Sequence, residues 1–334
     1  MQQRTVALEI GINGAFITRR WEEPENMMRL TRECGYRVHE FCGDVIDPFF
    51  MGDRAFQHDM ARKVAEAAER YGVTICDVYT GVATHRFHGL SHRHPAVRDR
   101  MKQWIVEMMD IALEMGAYRV GGHWDALSAE AMEDPAETRA AIERLYDTFR
   151  ELGDIAGQKG LKAVYMEQMY IPSEVPWTIE QAREFLIEAN RGRSGAPVYL
   201  TIDVGHQAGM HYGLSGPDLD YREWLRALAP FAEVIHLQQT TPDASAHWAF
   251  TEPYNSRGHI DVSEVIAAIE QAHREVASNP VAKHLAPVEH TWLIAEIIPG
   301  STKNETDLLR ELRESAEFLH RYVPEEGLRL SVGR

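Results

Sequence analysis

The chain has 334 residues, 44% of them hydrophobic, and a formal net charge of −16 at pH 7. That length suits one large α/β barrel or two mid-sized domains, with apolar content sufficient for a sizeable core. Such acidity repels polyanions and disfavours general nucleic-acid binding, and no apolar run nears the roughly eighteen residues of a membrane helix.

Taken in chain order, apolar runs of β type recur along the whole sequence: 5–12 (TVALEIGI), 36–43, 73–81, 118–124, 161–168 (LKAVYMEQ), 198–205 (VYLTIDVG), 233–240 (EVIHLQQT) and 292–298 (WLIAEII). Segments with apolar residues three and four apart lie between them. The first four, 26–35, 55–72, 97–116 and 137–160, end on Gly35, Gly72, Gly116 and Gly160, as amphipathic helices with glycine stops do. The later ones are 178–192, 220–229, 261–277 and 305–323. Eight alternations of strand and helix predict a parallel sheet closed into a (β/α)8 TIM barrel, α/β in class, as a single domain over residues 1–334. A doubly wound open sheet would ordinarily carry a glycine-rich phosphate turn after its first strand, and GINGAF offers only G-x-x-G.

Smaller features add to this. The three cysteines, Cys34, Cys42 and Cys76, form no C-x-x-C pair, which fits buried free thiols in a reducing compartment. The start MQQRTVALEIGING shows no secretory signal pattern, so a cytoplasmic location is expected. Residues 85–100 (HRFHGLSHRHPAVRDR) are the one candidate basic patch and read as a loop and helix start.

In barrels of this kind, reactive groups gather at the C-terminal ends of the strands. Those ends offer His123 and Trp124 on strand four, Glu167 on strand five, Asp203 and His206 on strand six, His236 and Gln238 on strand seven, and Glu296 on strand eight. An Asp closing a strand is often a turn former, and His236 reads by default as a satisfied core histidine. A Glu inside an apolar strand, such as Glu167 or Glu296, is harder to dismiss, because burying an unpaired carboxylate costs several kcal/mol or more. Three anionic side chains converging from successive strands need protons or a cation. Glu167, Asp203, Gln238 and Glu296 together make an oxygen-rich set suited to Mn²⁺, Mg²⁺ or Co²⁺. Gly205 and Gly209 would leave room for a small ligand beside Asp203.

In these residues the chain resembles the xylose-isomerase-like TIM barrels, the sugar phosphate isomerase/epimerases, and among them the ketose 3-epimerase branch. The resemblance spans nearly the whole chain in pattern. Its specific motifs are Glu167, Asp203-Val204-Gly205-His206, Arg257 and Glu296, with LEMGAYRVGGH (113–123) as helix three running into strand four. One departure is visible: where the family usually has a strand-seven His, Gln238 stands in HLQ, which should weaken metal affinity and favour Mn²⁺ or Mg²⁺.

The resemblance implies a divalent-metal-dependent isomerase or epimerase, with Mn²⁺ as the expected metal, acting on a ketose sugar or sugar phosphate through a metal-bound enediolate. Glu167 and Glu296 would be the acid/base pair on opposite faces of the substrate, and both would also be metal ligands with Asp203 and Gln238. His123, Trp124, His206, His236 and Arg257 would bind substrate. A phosphate could be met by Arg257 or by the helix starts near 255–264 and 299–307. Partners other than a small molecule are not expected, neither nucleic acid nor membrane, while pairing of copies through outer helices is open. Three alternatives share the fold: a lyase on an oxidised sugar conjugate of the carbon-glycoside deglycosidase type with a second subunit, an endonuclease IV-like phosphodiesterase, and a sugar-binding barrel without chemistry.

Overall fold

The computed structural model describes residues 4–80 and 87–333. Eight parallel strands form a ring: β1 (Thr5–Asn13), β2 (Val38–Cys42), β3 (Thr74–Tyr79), β4 (Arg119–Gly121), β5 (Ala163–Glu167), β6 (Val198–Asp203), β7 (Ala232–Leu237) and β8 (His290–Ala295). Each pairs with the next, and β1 closes the ring by pairing with both β8 and β2. The strands are buried almost throughout, which accounts for their nearly continuous apolar runs rather than clean alternation.

Eight helices form the outer layer: α1 (Pro24–Glu33), α2 (Arg54–Tyr71), α3 (Pro95–Glu114), α5 (Pro135–Lys159), α6 (Ile179–Ala189), α7 (Tyr221–Leu228), α9 (Val262–Glu275) and α10 (Glu305–Leu319). Their starts are set by side-chain caps, among them Asp53, Thr178, Asp220, Asp261 and Asn304. Gly35, Gly72, Gly116 and Gly160 all take positive φ at or just past the helix ends, the left-handed stop their positions predicted. The short helices α4 (Ala129–Glu133) and α8 (Tyr254–Arg257) lie outside that pattern, as does β9 (Leu328–Ser331). This last strand runs antiparallel along Thr5–Leu8 and covers the start of β1. The closed barrel expected from the sequence is therefore present, with one extra strand at its foot.

The three cysteines are buried and unpaired. No helix among the described residues is long and apolar enough to cross a membrane. Of the His-rich segment 85–100, residues 85 and 86 lie outside the described residues, and α3 begins at Pro95 as that segment predicted.

Candidate metal and catalytic site

Strands β5 to β8 deliver the charged side chains of the barrel mouth. Glu167 and Asp203 are the last residues of β5 and β6, His236 is next to last on β7, and Glu296 directly follows β8. One ligand-capable atom from each of Glu167, Asp203, His236 and Glu296 lies within 4.8 Å of the other three, and all four residues are buried. His236 is the hub. Its Nδ1 is 3.0 Å from Glu167 Oε1, 3.3 Å from Glu296 Oε2 and 3.9 Å from Asp203 Oδ2. Its Nε2 is 3.0 Å from both oxygens of Glu40, a fully buried residue of β2 on the far side of the lumen. Glu40 in turn accepts from Asn13 Nδ2 of β1. The Tyr79 hydroxyl of β3 donates to Glu167 Oε2, and its ring meets His236 edge-on at 4.9 Å.

These charges compensate one another. Burial pushes the Glu167 carboxyl up, but the charge of His206 and the hydrogen bond from His236 outweigh it and hold the group below the usual range. At Glu296 burial is opposed by His236 and His247, which together hold it well below. Asp203 goes the other way, pushed up to about 6 by burial, with His206 only partly offsetting. Burial favours neutral His236, yet the carboxylates of Glu296 and Glu40 raise it well above its ordinary value. The residues fit a divalent cation. Three carboxylates and an imidazole converge, and Glu296 Oε2 is buried without a hydrogen bond of its own. Mixed oxygen and nitrogen donors suit first-row divalent ions.

The other expected residues fall into distinct places. The His206 ring donates through Nδ1 to the Gln168 carbonyl at 2.9 Å and lies 3.8 Å through Nε2 from Asp203 Oδ2, inside the cluster. His123 packs behind Glu167, its Nδ1 2.9 Å from the Glu167 carbonyl. Trp124 is not a wall of the mouth. It is fully buried, stacked on Phe149 of α5 at 5.5 Å with its indole N–H on Thr80, so it is a core aromatic between barrel and helices. Arg257 sits exposed on α8, its guanidinium 4.7 Å above the Trp248 ring, at the loop that follows β7. The starts of α9 and α10 are not open anion sites. Asp261 accepts from Ser263 and Glu264 N–H and Asn304 from Asp307 N–H, and both first turns carry acidic residues.

Gln238 also departs from expectation. Its Nε2 donates to both oxygens of Asp203 at 3.0 Å and to Ser245 Oγ at 2.9 Å, while its Oε1 accepts the His247 backbone N–H at 2.7 Å. Turning the amide over would set oxygen against carboxylate and N–H₂ against N–H, so the partners fix its direction. Gln238 braces Asp203, and His236 holds the place assigned to it among the converging donors. Gly205 serves the same brace, since a Cβ there would strike the Gln238 amide, and one on Gly209 would meet Leu214 and the Tyr170 carbonyl at 2.7 Å, so the space beside both glycines is filled by protein rather than left for a ligand. Asp203 is held further by Gln168, whose amide bonds its N–H and C=O at 2.9 Å each.

Residues 28–278 match the model of the family described as xylose isomerase-like TIM barrel. The chain belongs to that family. A D-erythrulose 1-phosphate 3-epimerase of Brucella abortus is 24% identical over 297 residues, covering 88% of this chain and 93% of that protein. The crystal structure of a xylose isomerase-type protein of Rhodospirillum rubrum superposes with a TM-score of 0.78 at 23% identity, covering 94% of this chain and 99% of that one. A D-psicose 3-epimerase of Clostridium cellulolyticum, solved with D-tagatose, gives a TM-score of 0.62 at 15% identity, with 94% and 98% covered. At these identities the structural likeness shows the barrel. The Brucella and Clostridium proteins are both named as epimerases, in accord with the isomerase class expected from the sequence.

Four residues of the site carry no expectation from the sequence: Asn13, Glu40, Tyr79 and His247. Glu40 lies in the apolar run VHEFC. It bears the same signal that marked Glu167 and Glu296. His247 lies in the irregular stretch 238–253, where periodicity says nothing.

Proposed function

We propose that the protein is a divalent-metal-dependent ketose epimerase acting on a short sugar phosphate, with Glu167 and Glu296 as its acid/base pair. The observation that carries this reading is the burial of these two carboxylates, three strands apart round the ring, within 4.8 Å of Asp203 and His236 at one point of the mouth. Glu167, Asp203, His236 and Glu296 would hold the cation, which when bound supplies Lewis acidity to the carbonyl and neighbouring hydroxyl of a ketose. One carboxylate, ionised, would take the proton from that carbon, and the other, carrying a proton from solvent, would return one to the opposite face, which inverts the centre. Tyr79 anchors Glu167 Oε2, so Glu167 Oε1 is the oxygen left to face the cluster. His206, fixed by the Gln168 carbonyl, presents Nε2 toward Asp203 and the mouth, where it can donate to a substrate oxygen.

The phosphate is supported by the Brucella relative's substrate and by Arg257, which makes no ion pair among the described residues and stands over Trp248 at the rim. The test is a panel of ketoses of four to six carbons, free and phosphorylated, incubated in D₂O with Mn²⁺ and followed by NMR. Deuterium entering beside the carbonyl, with the epimer appearing and the phosphorylated sugars preferred, is the expected result. Exchange with none of them contradicts the reading.

A further inference from the structure

We infer that His247, from the loop after β7, is a second imidazole donor to the cation of this site, and that Gln238 serves to aim it. The inference rests on the metal site proposed above. Three observations place His247 there. Its Nδ1 faces Glu296 Oε2 at 3.2 Å, and although both atoms are buried neither makes a hydrogen bond of proper geometry. Two buried ligand-capable atoms this close, neither in a hydrogen bond of proper geometry, suit a cation held between them. The ring is already oriented for the task. Ser245 Oγ lies 3.2 Å from Nε2, and a proton held there by that hydroxyl leaves the Nδ1 lone pair for the mouth. The backbone is held in an unusual state as well: His247 has φ of +48°, a left-handed conformation that non-glycine residues seldom adopt and that concentrates at functional sites.

What holds that conformation is Gln238. Its Oε1 accepts the His247 N–H at 2.7 Å, while its Nε2 bonds both oxygens of Asp203 and Ser245 Oγ. One amide therefore couples a carboxylate on β6 to the loop that carries the imidazole. The glutamine at the strand-seven position does not impoverish the site in nitrogen. His236 supplies one imidazole from β7, and the glutamine positions a second on the loop. With His236 Nδ1, the donor set becomes two nitrogens and three carboxylates. Such a set binds later first-row ions more strongly relative to Mg²⁺ than an all-oxygen set does.

The experiment measures metal affinity alone, on protein stripped with chelator. Co²⁺ and Mg²⁺ are titrated separately by calorimetry, and the Co²⁺ visible absorption band is recorded for wild type, His247→Gly and Ser245→Ala. Glycine relieves the left-handed strain, so the first variant loses only the ring. Expected for His247→Gly is a loss of roughly tenfold or more in Co²⁺ affinity, a shifted Co²⁺ band, and a Mg²⁺ affinity changed much less. Ser245→Ala, which keeps the ring but removes its Nε2 partner, should lose Co²⁺ affinity in the same direction by a smaller factor. Equal losses for both ions would show a structural role for the loop and overturn the inference, as would an unchanged Co²⁺ band and affinity in His247→Gly. Wild-type protein that binds neither ion would overturn the metal site itself, an outcome distinct from failure of the His247 assignment.

Discussion

Glu40→Gln should weaken divalent-metal binding by 10–100-fold while leaving the barrel folded. The magnitude follows from how few hydrogen-bond arrangements remain. Glu40 accepts from His236 Nε2 through both oxygens at 3.0 Å and from Asn13 Nδ2 through one. It thereby keeps a proton on Nε2 and reserves Nδ1, the atom that faces Glu167, Asp203 and Glu296, for the cation. A glutamine can satisfy only one neighbour. With its oxygen toward His236, its N–H₂ meets the Asn13 N–H₂. Asn13 cannot turn over to help, since its Oδ1 accepts the Ala15 N–H at 2.7 Å. With its N–H₂ toward His236, the ring proton moves to Nδ1, where it blocks the ion. Either arrangement leaves a buried polar group mismatched, a cost of about 1–3 kcal/mol, which at about 1.4 kcal/mol per decade covers the stated range. The assay is calorimetric titration of Mn²⁺ into stripped protein, with far-UV circular dichroism to confirm folding. A folded variant binding Mn²⁺ within twofold of wild type would refute the idea that Glu40 sets the tautomer of a metal-facing His236.

Further outcomes follow from the same geometry. Glu167→Gln and Glu296→Gln should each lower ketose deuterium exchange by about 100-fold or more with the fold intact, and a fully active variant of either contradicts the acid/base pair. Exhaustive EDTA should abolish turnover and added Mn²⁺ restore it, whereas activity persisting after chelation contradicts the metal requirement. Gly205→Ala places a methyl group in the Gln238 amide and should cost about 1–3 kcal/mol, read as a lower urea midpoint, with metal affinity falling too because Asp203 loses its brace. Burial pushes His273 down to about 4 and His39 down to about 3 from an ordinary 6.5. The unfolded chain therefore binds the extra protons. Stability is complete above about pH 6.5 and is lost as pH falls, by about 1.4 kcal/mol per unit per group once below 6.5. His273→Leu should flatten the part of that slope above about pH 4, and an unaltered slope would rule His273 out as its source.

Much of the fold was legible because two periodicities and four glycines say most of it. Strand runs buried on both faces read as continuous apolar stretches, and amphipathic helices ended at Gly35, Gly72, Gly116 and Gly160, where the chain does turn left-handed. Strand β9 was not legible. Its partner is the start of β1 at the other end of the chain, and LRLS has no more pattern than a loop. The site was half legible for a related reason. Glu167 and Glu296 stood out as carboxylates inside apolar strands, and Glu40 bears that mark equally. A sequence shows which residue is anomalous but not that closure brings β2 across from β7, so the partner of His236 stays hidden. Trp124 and Gln238 failed differently: position on a strand end is shared by residues that face the mouth and residues that face the helices or brace a neighbour.

The kind of base that compensates these carboxylates suits the proposed passage between metal-free and metal-bound states. Among the described residues, every ion pair to Glu167, Asp203 and Glu296 comes from a histidine: His206, His236 or His247. A lysine or arginine there would neutralise the acids permanently, because guanidinium in particular does not give up its proton in proteins and neither cation offers a lone pair. Imidazole can do both. Protonated, His236 and His247 hold the buried acids together; deprotonated, they would free those acids for a cation and offer nitrogen donors of their own. Carboxylates buried this deeply are tolerable only with positive charge nearby. Supplying that charge through groups that can surrender it would let one set of side chains form a stable barrel mouth without a metal and a receptive one in the presence of the proposed cation.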